Sequence, residues 1–268
     1  MIKTTGSYLP NCLYVETVVK IVNRKQTLLV LIIFLIAFDA AADVRQIDTN
    51  FDGKMDMWDH FTPDGKRLLI EYDKNYDGTI DQREIYDTKK SVVRAEIDTN
   101  HDGKMDHFQF YSDDGKLMRV ERDTKFDGHI DTREFLDARE RLEKIEIDNN
   151  LDGKPDVWKF YNKNGKRVRV ERDSNHSGVA DRWEFFEENG ALSRAAFDTN
   201  GDGKPDQWQY LIGSDVPQKI EFDTNHDGKP DRWEFFGPSG KLVRIELDRN
   251  FDGKVDAREI KEAPHEPH

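Results

Sequence analysis

Asp223-Thr224-Asn225-His226-Asp227-Gly228-Lys229-Pro230-Asp231-Arg232-Trp233-Glu234-Phe235-Phe236-Gly237-Pro238-Ser239-Gly240-Lys241-Leu242-Val243-Arg244-Ile245-Glu246-Leu247 is one unit of a repeat whose reading decides the fold. In its second half Trp233 and Phe235 alternate with Arg232 and Glu234. Pro238-Ser239-Gly240 then turns the chain, and Val243, Ile245 and Leu247 alternate with Arg244 and Glu246. Period-two alternation on both sides of a glycine turn predicts a β-hairpin with one apolar face. The first half, D-x-N-x-D-G-x-x-D, returns every 25 residues, nine times without an insertion, from Asp48–Asp56 to Asp248–Asp256. A fixed period of this length is the mark of a repeat architecture.

The nine-residue phrase has the chemistry of an oxygen cage. Alternate side chains on a tightly turning backbone offer oxygens at loop positions 1, 3 and 5, a carbonyl at 7 and a direct or water-mediated ligand at 9. Position 6 is glycine in every copy, from Gly53 to Gly253, as a sharp turn at positive φ requires. Six to eight hard oxygens suit Ca²⁺; zinc asks for His or Cys, and magnesium gives up its water reluctantly. The reading without a metal is a D-G turn held by Asx hydrogen bonds. Nine tandem copies favour the cation, because carboxylates crowded this closely repel one another until neutralised.

The candidate ligands, loop by loop, are Asp48, Asn50, Asp52 and Asp56; Asp73, Asn75, Asp77 and Asp81 with Glu84 at position 12; and Asp98, Asn100, Asp102 and Asp106. The fourth and fifth loops offer Asp123, Asp127 and Asp131, then Asp148, Asn150, Asp152 and Asp156. The sixth and seventh offer Asp173, Asn175 and Asp181, then Asp198, Asn200, Asp202 and Asp206. The eighth and ninth offer Asp223, Asn225, Asp227 and Asp231 with Glu234, then Asp248, Asn250, Asp252 and Asp256 with Glu259. Lys125 stands at position 3 of the fourth loop and Ser177 at position 5 of the sixth. Those two are expected to be weak or empty, leaving about seven good calcium sites.

These loops resemble the EF-hand type D-x-[DN]-x-D-G calcium loop, shared with dockerins and thrombospondin type 3 repeats. The resemblance covers about 12 residues in each 25 and implies calcium as ligand. It departs from a true EF-hand in having Asp59, Gln109, Lys159 and Gln209 at position 12, and Pro155, Pro205 and Pro230 at position 8. Two helices also have no room between one loop and the next, so sensor-type opening is not implied. The hairpin half has a shorter likeness to MORN-type repeats.

Between the loops the sequence gives a mainly β fold, an antiparallel meander of hairpins with loops at one end and glycine turns at the other. Gly65, Gly115, Gly165, Gly190 and Gly240 share one turn position, and Trp58, Trp158, Trp183, Trp208 and Trp233 share position 11. This aromatic column is expected to be core, with a sugar-stacking platform as the rival. Basic residues at position 22 and Glu at position 24 are expected to form a solvated charge ladder on the opposite face. Residues 134–144 lack the turn glycine and are rich in helix formers, which predicts a short helix there. The apolar face has to be covered by curling, by stacking or by a second copy; four-stranded propeller blades also match a 50-residue pair of repeats.

The repeats occupy residues 43–260. Ahead of them, Lys20, Arg24 and Lys25 precede the apolar run Leu28–Phe38, and Ala40-Ala41-Ala42 supplies a cleavage site, so 1–42 is expected to be a signal peptide. As a membrane anchor its run falls short of the roughly 20 residues needed to span, and no stable membrane insertion is expected after cleavage. Residues 261–268, with His265 and His268, are expected to be a disordered tail. Cys12, the only cysteine, would leave with the signal, so no disulfide staples the exported chain.

The net charge of −13 is concentrated in the loops, which argues against nucleic acid as a partner. No Ser-His-Asp grouping stands out, and no catalytic residue is assigned. His101, His176 and His226, at loop position 4, are expected to point into solvent. The sequence therefore predicts a non-enzymatic, exported calcium-binding scaffold or adhesive surface of a bacterial periplasm or exterior, with an unidentified protein or glycan partner. The alternative is a calcium-stabilised binder of glycans or envelope polymers, and a hydrolase is the least favoured.

Overall fold

The computed structural model describes residues 8–9, 12–13, 16–23, 26–33, 43–89, 91–211, 213 and 216–261, the first four segments by backbone alone. Tyr8–Leu9 pairs with Cys12–Leu13, and Glu16–Asn23 with Gln26–Ile33, as two separate antiparallel ribbons. The cleavage residues Ala40-Ala41-Ala42 and the tail 262–268 lie outside the described residues. No described helix is long and apolar enough to cross a membrane.

From Asp43 to Ile260 the chain is one antiparallel meander of eighteen strands, beginning with Asp43–Ile47, Met57–Phe61 and Arg67–Tyr72 and ending with Leu242–Leu247 and Ala257–Ile260. Described strands contact only the strands next to them in sequence, so each repeat is supported by its neighbours alone. The sheet is open. Asp43–Ile47 is laddered only to Met57–Phe61, and Ala257–Ile260 only to Leu242–Leu247; no register joins the two ends. The propeller alternative is thus corrected: the ladder never breaks into blades.

Six of the described hairpin turns share one design. Thr62 N–H donates to the Lys66 carbonyl, Gly65 N–H donates to the Thr62 carbonyl, and Gly65 sits at φ 77°. A left-handed residue closing a short loop, followed by a bulge, suits the right-handed twist of the strands. The expected helix over 134–144 does not form. Thr132–Leu136 and Leu142–Ile147 are paired strands, and Glu140 takes the glycine position at φ 58°. Asp137 stands in for the missing helix hydrogen bonds. It accepts from the Arg139 and Arg141 backbone N–H groups and from the Arg141 guanidinium, which holds its carboxyl down to about 2. Ladder bonds to both neighbouring strands outweigh helix propensity, which is worth only tenths of a kcal/mol per residue.

The register also corrects the assignment of faces. Trp233 lies opposite Glu246 and Phe235 opposite Arg244, whereas Ile245 lies opposite Glu234. Directly opposed residues share a face, so the aromatic column and the charge ladder interleave on one side. Guanidinium carbons stack over the position 13 rings: Arg244 on Phe235 at 3.9 Å, Arg169 on Phe160 at 4.0 Å, and Arg119 on Phe110 and Arg194 on Phe185 at 4.1 Å. Some ion pairs run along a strand, as in Arg169–Glu171 at 3.0 Å, and others cross between strands, as in Arg83–Glu71 at 2.9 Å. None of the five Trp is fully buried.

The buried apolar residues lie mainly on the other face at position 23: Ile70, Ala95, Val120, Val170 and Ala195. Val170 stands between Lys159 and Glu184 in the ladder and is 1% exposed. Among the described strands no second layer is in contact with this face.

Candidate metal centre

All nine loops close in the same way. The position 1 carboxylate accepts from the position 6 glycine N–H, as in Asp48 from Gly53 at 2.8 Å and Asp248 from Gly253 at 2.7 Å. The position 9 carboxylate accepts from the N–H groups of positions 2 and 3, as in Asp131 from Thr124 at 2.8 Å and Lys125 at 3.2 Å. Most of these anchors are buried, among them Asp73, Asp98, Asp148 and Asp223 at position 1 and Asp81, Asp131, Asp156 and Asp231 at position 9, whereas Asp256 is exposed. Burying a carboxylate is costly unless hydrogen bonds replace its water, and the loop N–H groups do so here.

Positions 3 and 5 form an exposed rim. Asn225 donates to Asp227 at 3.2 Å, and the Lys229 N–H donates to Asp227 at 2.9 Å. Hydrogen bonds to the charged form hold the Asp52 and Asp77 carboxyls below their usual range; the Lys54 N–H leads at Asp52 and the Thr79 side chain at Asp77. Loops four and six keep the frame without the rim. Lys125 donates to the Asn149 carbonyl of the next loop at 2.9 Å, and Ser177 Oγ accepts from the Val179 N–H at 3.3 Å.

The position 12 glutamates lie in strands, bonded to strand neighbours. Glu84 accepts from Gln82 at 2.9 Å and Tyr86 at 2.8 Å, Glu234 pairs with Arg232, and Glu259 with Lys261. Burial, then Glu84, pushes the Tyr86 phenol up to about 12.

Consecutive loops are stitched together. The position 1 N–H of each loop after the first donates to the position 9 carbonyl of the loop before it, as Asp173 does to Asp156 at 2.8 Å. Two cavities of about 70 Å³ lie between loops. One is lined by Asn50, Asp52 and Asp56 of the first loop and by Asp73, Tyr76 and Asp77 of the second. The other holds Asn200, Asp202, Asp206, Asp223, His226 and Asp227.

Reading each loop alone misses this arrangement, and with it the partners of the histidines. His101 Nδ1 lies 2.7 Å from Asp81, His176 Nδ1 lies 2.7 Å from Asp156, and His226 Nδ1 lies 2.8 Å from Asn200 Nδ2. Each therefore leans back onto the preceding loop while its side chain stays about half exposed to solvent, as expected. The signal was the 25-residue period itself, since position 4 of one loop recurs beside position 9 of the last.

The donor set is one of hard oxygens, and every anchoring carboxylate has more lone pairs than the N–H groups it serves. Among the described residues, however, no three His, Cys, Asp or Glu side chains converge as a ready-made metal group. The chemistry fits a hard cation. A closed coordination shell requires the rim side chains to turn inward.

An EF-hand family model matches residues 245–262, the segment that holds Asp248, Asn250, Asp252, Asp256 and Glu259. No curated protein matches the chain. Among solved structures, accessory secretory proteins 1, 2 and 3 of Streptococcus pneumoniae are similar at 17% identity over 40% of this chain and 19% of that one, with a TM-score of 0.26. The TcdB2–TccC3 structure is similar at 12% identity over 97% of this chain and 15% of that one, with a TM-score of 0.22. This chain thus spans less than a fifth of those structures' chains. The family match and the regular hairpin meander together fit a calcium-binding repeat.

Proposed function

We propose that this protein is a non-enzymatic, exported calcium-binding array that serves as a scaffold or adhesive surface in a bacterial periplasm or outside the cell. The observation that carries the reading is the nine-fold recurrence of one loop frame, with the Asp side chains of positions 1 and 9 hydrogen-bonded to loop N–H groups and, in seven of the nine, an Asn-Asp rim at 3 and 5. In each complete loop those four side chains would hold the ion, and the neighbouring loop would add carboxylates where the two meet. Bound Ca²⁺ would neutralise the carboxylates the fold crowds along one end of the sheet. The remaining work falls to the chain itself: the glycine bend and the stitches between loops keep those oxygens in register.

Calorimetric titration of the chain with Ca²⁺ tests this. About seven ions per chain, in the 10⁻⁴ to 10⁻³ M range of extracellular modules, is expected. No heat of binding at millimolar Ca²⁺ overturns it.

A second reading, calcium-stabilised glycan binding, is favoured by one specific observation. Trp158, Trp183, Trp208 and Trp233 occupy the same register position in four successive repeats, and none is fully buried. Quenching of tryptophan fluorescence by a polysaccharide supports it, and unchanged emission counts against it.

A further inference from the structure

Among the described residues the sheet ends in two unpaired edges that complement each other. Asp43–Ile47 has a ladder partner on one side only and is exposed along its whole length, with Val44 and Ile47 each 40% exposed. Ala257–Ile260 likewise has one partner, and Ile260 is 72% exposed. Free edges with apolar side chains invite strand addition.

Every complete hairpin joins the same two kinds of strand. Met57 pairs with Tyr72, Trp58 with Glu71, Asp59 with Ile70 and His60 with Leu69. Among the described residues the last strand is a first hairpin strand without its mate, and the first strand is a second hairpin strand without its mate. We propose that copies of this chain join head to tail, Ala257–Ile260 of one copy adding antiparallel to Asp43–Ile47 of the next. The hairpin register then sets Ala257 against Ile47, Arg258 against Gln46, Glu259 against Arg45 and Ile260 against Val44.

Side-chain chemistry at the two edges agrees with that register. It yields two apolar pairs and one carboxylate–guanidinium pair. Position 23 is otherwise Ile, Val or Ala (Ile70, Val120, Ala195 and their equivalents), and Arg45 is its one cation. On the inner side Arg45 faces Asp59, which the Arg67 guanidinium already holds at 2.8 and 2.7 Å. Among the described residues Glu259 pairs with the exposed Lys261, just past the end of its strand. Each edge thus presents a charge of sign opposite to the other's.

Chain direction permits the junction as well. Asp43 begins its strand, and Ile260 ends its own, at the end of the sheet where the hairpin turns lie. The junction is therefore a hairpin without its turn. Since the two surfaces differ, each addition leaves a fresh edge, and the product is an open filament. The inference does not rest on calcium binding.

Sedimentation velocity of the full chain over a wide concentration range tests it. Mass rising in whole-chain steps is expected. Arg45→Glu and Glu259→Arg should each weaken association about tenfold or more, because like charges then face each other. The double swap Arg45→Glu/Glu259→Arg should restore it, as should an equimolar mixture of the two single variants. Far-UV circular dichroism confirms that the variants fold; should a swap fail to fold, Ile260→Asp must depress association comparably. A native chain that stays monomeric means that Arg45 and Glu259 are charges that block the edges, and the proposal falls. It falls equally if association ignores the swaps.

Discussion

His176 Nδ1 and Asp156 Oδ1 lie 2.7 Å apart, although they belong to different loops and stand 20 residues apart in sequence. The contact raises the histidine above its ordinary value, chiefly through its hydrogen bond with Asp156. Burial pushes the Asp156 carboxyl up, but bonds from His176 and from the Asn149 and Asn150 N–H groups bring it below its usual range. A histidine whose folded value is raised stabilises fully below the unfolded value of about 6.5, and the gain is lost as pH rises through the folded value. In chelator, the melting temperature of the native chain should therefore exceed that of His176→Asn at pH 5, and the gap should close by pH 8. A gap independent of pH would show that the pair does not ionise as described.

Chelation should loosen the array. Metal at ten times Kd contributes roughly 1.4 kcal/mol per site, so seven sites give on the order of 10 kcal/mol, comparable to a domain's net stability. The expected result is a large fall in melting temperature with excess EGTA, restored by Ca²⁺ and followed by circular dichroism.

Val170→Ala should destabilise by about 1.5–3 kcal/mol, since it removes two buried carbons from the most enclosed apolar side chain. Ala195 occupies the equivalent position already, so the backbone should not move. Urea denaturation of the two proteins gives the difference.

Gly153→Ala tests the loop frame. At φ 87° an added Cβ would meet nothing within 4 Å, so the cost is backbone strain alone, about 1–2 kcal/mol. Glu140→Gly should act in the opposite sense, relieving the left-handed strain at φ 58° by up to about 1 kcal/mol. Thermal melts of both should therefore move in opposite directions.

Asp137→Asn should cost stability at neutral pH but not in strong acid. The carboxyl at this glycine-free turn is held down to about 2, first by the Arg141 side chain. A depressed carboxylate stabilises above its unfolded value of about 3.9 and loses that gain as pH falls through about 2. The melting temperatures of the two proteins should differ at pH 6 and converge toward pH 2.

Much of the fold was legible because short-range rules write it. Gly65, Gly115 and Gly240 mark turns that only a left-handed residue closes, and they are found at φ 74–80° with their equivalent Gly165. The loop frame was legible for the same reason: the aspartate at loop position 1, the glycine at position 6 and the aspartate at position 9 make their bonds within one nine-residue phrase. Glu140 was not, because its left-handed turn is imposed by the strands on either side against its own preference. Nor were the positions of His101 and His176, whose partners lie in the neighbouring loop.

By itself the sequence determined the period, the hairpins, the bends and the kind of atom each loop offers, since these depend on a few adjacent residues and on the chirality of the backbone. Only the tertiary structure decided which side chains share a face. In Trp233–Leu247 the alternation is plain on both strands, but the bulge between Phe235 and Phe236 shifts the return strand by one place. A shift of one residue sends every side chain to the other face, and so the rings meet guanidinium groups instead of aliphatic ones.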